Sequence, residues 1–143
     1  MPGSTTSGST ISGSTISGSI DSRDISERFV RSVAAKDSAA LKDLLAPAVN
    51  FRGLTPGRAW ESDRADSVVD EVILGTWFAP DRLITQILAI DCGRVGPVDH
   101  VGYRFRATLP DGEYVIEQQA YLRIDGGRIC WLRVLCSGFV HDE

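Results

Sequence analysis

The chain has 143 residues, a formal charge of −4 at neutral pH and 43% hydrophobic residues, which suits one soluble domain built on a single core. Its 15 Lys and Arg form no block and are outnumbered by 19 Asp and Glu, so nucleic acid is not an expected partner. No stretch approaches the roughly 20 apolar residues that span a bilayer, and no membrane partner is expected either.

The three cysteines, Cys92, Cys130 and Cys136, show no paired spacing. Cys130 and Cys136 would lie on one face of a single strand, six residues apart at about 3.3 Å each, too far for a disulfide. A reducing, cytoplasmic setting is therefore expected. His100 and His141 are the two histidines, and carboxylates do not cluster around them, so neither a metal site nor a cofactor is expected.

Residues Met1 to Ile20 are a low-complexity leader in which SGSTI occurs at Ser7 to Ile11 and again at Ser12 to Ile16. It lacks the basic start and continuous apolar segment of a secretory signal and reads as a flexible tail, with residues 1–23 as the leader and 24–143 as the domain. A first helix is predicted from Asp24, capped by its carboxylate with Glu27 reaching back, and Ile25, Phe29, Val30 and Val33 form its buried stripe. Lys36-Asp37 breaks it. A short second helix, capped by Asp37 or Ser38, carries Leu41, Leu44 and Leu45 and stops before Pro47. Val49 to Leu54 reads as a strand, followed by the turn Thr55-Pro56-Gly57. A third helix starts at Ser62 or Asp63 and buries Val68, Val69, Val72, Ile73 and Trp77, ending at Ala79-Pro80.

The second half alternates. Leu83 to Ile90 and His100 to Leu109 are predicted strands, with Val101, Tyr103, Phe105, Ala107 and Leu109 on one face. After Pro110-Asp111-Gly112 comes a long hairpin, Glu113 to Val140. Its first arm puts Tyr114, Ile116, Gln118, Ala120, Leu122 and Ile124 on the core face and Val115, Glu117, Gln119, Tyr121 and Arg123 on the other. Its second arm puts Cys130, Leu132, Val134 and Cys136 inward and Trp131, Arg133 and Leu135 outward. Matching the core faces calls for an odd loop, so Asp125-Gly126-Gly127 is expected to close the hairpin with Gln118 opposite Val134. If Asp111-Gly112 is a two-residue loop, Arg106 falls opposite Glu117 and Phe105 opposite Gln118. Together these elements make an α+β fold in which three N-terminal helices roof one face of a curved antiparallel sheet.

That order resembles the cystatin-like cone of the nuclear transport factor 2 superfamily, in particular its SnoaL-like and ketosteroid-isomerase-like branch. The stretches that carry the likeness are RFVRSVAAKDSAALKDLLAP, VNFRGLTPGRAWES and QAYLRIDGGRICWLRVL, between Asp24 and Val140. The resemblance implies a cone-shaped pocket and chemistry drawn from isomerases, dehydratases, cyclases and epoxide hydrolases, or a binding module. The ketosteroid isomerase tyrosine and two aspartates would fall at Phe29, in the Phe51 to Gly53 region and at Ala120, so all three functions are missing. The epoxide hydrolase Arg/Asp pair and last-strand aspartate fall near YRFRA and at Val134 and fail too.

Two readings follow. In the first, the chain is an enzyme of isomerase, dehydratase or cyclase type acting on a mostly apolar small molecule, with Tyr103 and Gln118 polarising a substrate oxygen. Phe29, Phe51, Trp60, Trp77, Phe105, Leu132 and Cys136 would line its site, with Trp60 at the cone mouth. In the second, the fold is a non-catalytic binding or interaction module, which the missing acids favour. Gln118 is the most informative residue, because an amide facing an apolar cone must find partners, either in Tyr103 or water or in a ligand. Cys136 has no activating base nearby in sequence, and Glu61 reads as a solvated acid ahead of a helix. Gln119, Tyr121, Trp131 and Leu135 put apolar bulk on the outer sheet face, which is expected to be covered in a homodimer.

Overall fold

The computed structural model describes residues 21–142, so residues 1–20 of the leader lie outside the described residues, while Asp21 to Arg23, assigned above to the leader, open the first helix. The first helix, α1 (Ser22–Ala34), starts two residues before the predicted position. Asp21 rather than Asp24 is its cap, accepting from the Arg23 amide, and the carboxylate of Asp24 instead pairs with Arg28 one turn on. Ile25, Phe29, Val30 and Val33 are buried as the stripe predicts. The helix ends in a Schellman turn: the Lys36 amide donates to Val33 and the Asp37 amide to Ser32. Lys36 takes the left-handed backbone that glycine usually fills there, φ 54°. Its ammonium donates to the carbonyls of Ala79 and Arg82, which ties the end of α1 to the far end of the roof. Burial holds the Lys36 pKa below the ordinary lysine range, partly offset by Asp81.

Helix α2 (Ser38–Leu44) is capped by the Asp37 carboxylate, which accepts from the Ala40 amide. Leu45 opens strand β1 (Leu45–Thr55), which begins earlier than predicted and takes Pro47 into a stretch with irregular register. The turn at Pro56-Gly57 leads into β2 (Arg58–Ser62), a strand the sequence reading missed. The third helix is thereby displaced: it opens with one turn, α3 (Ala65–Ser67), and continues over Val68–Trp77 with π-type bonding. The Phe78 amide donates to Ile73, five residues back. Gly75 fits that wider winding, because a Cβ there would come within 2.2 Å of the Asp70 carbonyl oxygen.

The remaining strands are β3 (Leu83–Val95), β4 (Val98–Leu109), β5 (Gly112–Asp125), β6 (Arg128–Cys136) and the two-residue β7 (Val140–His141). They join β1 and β2 in one sheet of order β2-β1-β6-β5-β4-β3, with β7 paired to β5. The sheet is mixed rather than antiparallel throughout, because β1 runs parallel to β6. Such a pairing needs a long crossover, here nearly the whole chain between the two strands.

Both hairpin registers differ from the expected ones by two residues, and the predicted inward and outward faces are kept except at Cys130. Pro110-Asp111 is the loop between β4 and β5, which sets Tyr103 opposite Gln118, Phe105 opposite Ile116, and Arg104 opposite Glu117. Arg104 forms the ion pair with Glu117 at 2.7 Å, while Arg106 bonds Asp142. The loop between β5 and β6 is Gly126-Gly127, both at positive φ (61° and 80°), the geometry of a two-residue reversal. An even loop alone would set core residues against solvent residues. The parity is restored by a bulge after Arg123, where Ile124 faces Ile129 and Arg123 faces Trp131, leaving Cys130 without a partner. Cys130 is thus not a core residue; Ile129 takes the inward place, and Gln118 faces Cys136 instead of Val134.

Candidate functional site

The inner sheet face and the helical roof enclose a nearly solid aromatic interior. Phe29 meets Tyr103 edge-on at 6.4 Å, Tyr103 lies 5.3 Å from Phe105, and Phe105 meets Phe78 at 5.8 Å. Phe51 and Trp60 flank Trp77 at 5.8 and 6.2 Å. Of the expected lining residues, Phe29, Phe51, Phe105 and Leu132 are buried wall and floor, whereas Trp60, Trp77 and Cys136 border open space.

That space is a cavity of about 150 Å3. Trp60, Trp77 and Phe139 form its walls, Ile116 and Cys136 its floor, and Thr55, Thr76, Arg82 and Gly138 its rim. Phe139 arrives because the chain turns after β6 at Gly138, φ 77°, where a Cβ would stand 2.8 Å from Pro56. The Arg82 guanidinium donates to the carbonyls of Thr76 and Trp77 and sits 5.2 Å from the Phe139 ring centre. It therefore closes the C-terminus of the π-helical segment while bordering the opening. Gly53 brings β1 close to the roof: a Cβ on it would lie 2.9 Å from two ring carbons of Trp77.

Tyr103 and Gln118 lie one layer deeper, brought together as cross-strand partners. The Tyr103 hydroxyl donates to Gln118 Oε1 at 2.7 Å. Gln118 is 1% exposed, and its Nε2 has no hydrogen-bond partner; the Trp77 indole N–H is the other such buried donor among the described residues. Burial pushes the Tyr103 phenol well above its ordinary range, with a smaller contribution from Cys136, so the hydroxyl stays protonated and can only donate or accept a hydrogen bond. No carboxylate borders the cavity. Glu61 projects from β2 on the outer face opposite Arg52, and the two histidines lie elsewhere: His100 bonds Gln119 at 2.7 Å and His141 stacks on Tyr114 at 4.4 Å. Among the described residues no group of His, Cys, Asp and Glu is arranged to hold a metal.

The outer face carries a larger, shallower groove of about 570 Å3. Gln119, Tyr121 and Leu135 border it together with Leu54, Glu61 and Arg133. Trp131 lies outside that groove beneath the Arg133 guanidinium, 4.3 Å from its ring centre.

Neither protein-family models nor curated proteins match this chain. Solved structures do: an NTF2-like protein from Burkholderia thailandensis superposes with a TM-score of 0.61 at 16% identity, covering 79% of this chain and 88% of that one. The chain has the nuclear transport factor 2-like fold. A Pseudomonas putida protein provisionally described as a polyketide cyclase gives a TM-score of 0.64 at 14% identity over 81% of this chain and 91% of its own. An epoxide hydrolase of M. tuberculosis gives 0.59 at 12% identity over 79% and 80%. Identities this low carry the architecture and not the chemistry.

Within this nuclear transport factor 2-like cone, the sequence reading missed Arg82, Phe139, Thr55, Thr76 and Gly138. Each sits in a turn or at an element end, where no periodicity marks a side chain as inward. The one available signal was Gly138 before an aromatic residue, a turn residue that re-aims its neighbour. No helix of the described residues is long and apolar enough to cross a membrane.

Proposed function

We propose that this chain is a small-molecule-binding domain whose site is the cavity between Trp60, Trp77 and Phe139. The observation that carries this reading is an aromatic-walled, solvent-connected cavity of about 150 Å3 with few polar groups, the usual character of a ligand site. Its volume matches that of an apolar cavity known to take up benzene, so the bound body is one compact ring or a short branched chain. Binding without turnover is favoured because the site offers no base: no carboxylate or histidine borders it, and the Tyr103 proton is held too firmly to be given up. The test is toluene titration followed by NMR of the three indole N–H signals. Trp60 and Trp77 should shift while Trp131, on the opposite face, stays; unmoved Trp60 and Trp77 signals would overturn the reading.

A second reading, an enzyme of isomerase, dehydratase or cyclase type, is supported by the Tyr103–Gln118 pair. A hydroxyl and an amide held 2.7 Å apart in an apolar interior could polarise a substrate oxygen without proton transfer to the protein. It requires Tyr103→Phe to lower turnover strongly on any substrate found.

The outer face supports a homodimer. Leu54 (54% exposed), Leu135 (57%) and Tyr121 (42%) put contiguous apolar surface around the 570 Å3 groove, more than single scattered side chains would. A two-fold pair would set each groove against its copy, with Arg133 and Glu61 at the rim as exchangeable opposite charges. Light scattering should give a dimer for the wild type and a monomer for Leu135→Asp; a monomeric wild type at micromolar concentration refutes it. Cys92, Cys130 and Cys136 are all free thiols, which supports a reducing, cytoplasmic setting.

A further inference from the structure

Charge is distributed unevenly around the cavity. Arg82 is the one charged residue among those that border it, in a chain whose formal charge is −4. Its guanidinium carbon lies 5.2 Å from the ring centre of Phe139, one of the walls. Its Nη1 donates to the carbonyls of Thr76, on the rim, and of Trp77, a second wall, at 3.0 and 3.1 Å. These three contacts hold the cation at the opening. A second guanidinium, that of Arg58, lies 3.5 Å over the ring of Trp60, the third wall.

Neither cation is neutralised by the protein. Among the described residues no carboxylate forms an ion pair with Arg82 or Arg58, and Asp81, next to Arg82 in sequence, bears on Lys36. The carbonyls at the end of the roof favour a cation there but carry no net charge. The bonds from Nη1 use two of the five guanidinium hydrogens, and the other three have no protein partner among the described residues. A half-buried cation at the mouth of an apolar cavity attracts anions and repels cations more strongly than it would in bulk water. The sign of that preference does not depend on where the remaining hydrogens point.

We propose that the ligand of this cavity is a small organic acid, one ring or short branched chain bearing a single carboxylate, with its apolar body between Trp60, Trp77 and Phe139 and its charge at Arg82. This rests on the reading that the cavity binds a small molecule. An amine of the same shape would bring a cation to a rim that holds no acid. A neutral ring would fill the apolar space and leave the guanidinium without a counter-charge. A planar carboxylate matches the guanidinium in both charge and shape. Arg82 is thereby the specificity-determining residue, and its bonds to the roof hold it in place before the ligand arrives.

The experiment compares benzoate with nitrobenzene, which has nearly the same planar outline and no net charge, in the wild type and in Arg82→Met. Titrations are followed by NMR on the Trp60 and Trp77 indole signals, so that each affinity belongs to this cavity. Hydration holds benzoate in water, and the quantity read is therefore the ratio of the two affinities within each protein. In Arg82→Met the ratio should fall about tenfold against benzoate, between the worth of an exposed ion pair and that of a charge-assisted hydrogen bond. An unchanged ratio with both probes still bound overturns the role of Arg82 and leaves the binding site standing. A wild type that takes nitrobenzene and refuses benzoate overturns the acid in the same way. If neither probe moves the two signals, the cavity is not a binding site and the proposal falls with it. Should Arg82→Met fail to fold, the wild type decides alone: raising salt from about 0.01 M to about 0.5 M should weaken benzoate several-fold and leave nitrobenzene unweakened, and equal responses refute the acid.

Discussion

The Tyr103–Gln118 pair can be weighed by a double-mutant cycle whose rank order is fixed by the geometry. Tyr103→Phe removes the 2.7 Å bond and leaves Oε1 unpaired beside the already unpaired Nε2, which should cost about 2 kcal/mol. Gln118→Leu strands the Tyr103 hydroxyl, a loss of about 1 to 3 kcal/mol, but also removes the unpaired Nε2, a gain of similar size, so its net change should lie within about 1 kcal/mol. The double variant leaves no buried polar group at this place and should be about 1 to 2 kcal/mol more stable than the wild type. Placed in order, the double variant is most stable, wild type and Gln118→Leu follow together, and Tyr103→Phe is last. With about 3 °C per kcal/mol for a chain this long, the extremes should melt roughly 10 °C apart. Urea unfolding at neutral pH, with equal m-values across the four proteins, is the assay. If the double variant is the least stable, the pair supports the fold and Nε2 has a partner after all. A stabilising double replacement would show an unfavourable amide kept at a cost to stability.

Two further outcomes are expected. Gly53→Ala sets a new Cβ 2.9 Å from Trp77, an indole pinned between Phe51 and Trp60, so overpacking of about 1 to 3 kcal/mol outweighs the backbone gain of about 0.5 to 1. Gly93→Ala in β3 meets nothing within 4 Å and should stabilise by about 0.5 kcal/mol; equal urea midpoints for the two would show that Trp77 is free to move. Asp70 bonds Lys42 at 2.7 Å and accepts from the Ser38 hydroxyl at 3.2 Å, and the Lys42 bond foremost holds its pKa below the usual carboxylate range. A depressed folded pKa adds stability above the unfolded value of about 3.9 and loses it as pH falls through the folded one. The difference in urea midpoint between wild type and Asp70→Asn should therefore be present at pH 6 and vanish toward pH 2; a gap that persists in acid would remove the charge from the explanation.

Much of the cone's interior was readable because side-chain facing depends on a local period. Alternation alone placed Tyr103 and Gln118 inside and Tyr121 and Leu135 outside, and all four stand there. The helical stripes of Ile25 to Val33 and Val68 to Trp77 were equally plain, since a roof helix must show one apolar side. The exact partner of Gln118 was not readable. It depends on whether an odd offset comes from the loop or from a bulge, and Asp-Gly-Gly followed by Arg-Ile-Cys permits either. The short strand β2 was lost for a similar reason: Arg58 to Ser62 has five residues and one aromatic, and what makes it a strand is β1 lying beside it.

The sequence by itself determined which faces are greasy, where the chain turns, and that an amide would be sealed inside. Those are properties of neighbours along the chain, set by a repeat of two or of 3.6. Only the tertiary structure decided that β1 runs parallel to β6, that Arg82 and Phe139 meet at one opening, and that Trp77 and Gln118 are both left with a hydrogen to give. Those are relations between residues tens of positions apart, and they exist only once the sheet has bent and the roof has closed over it.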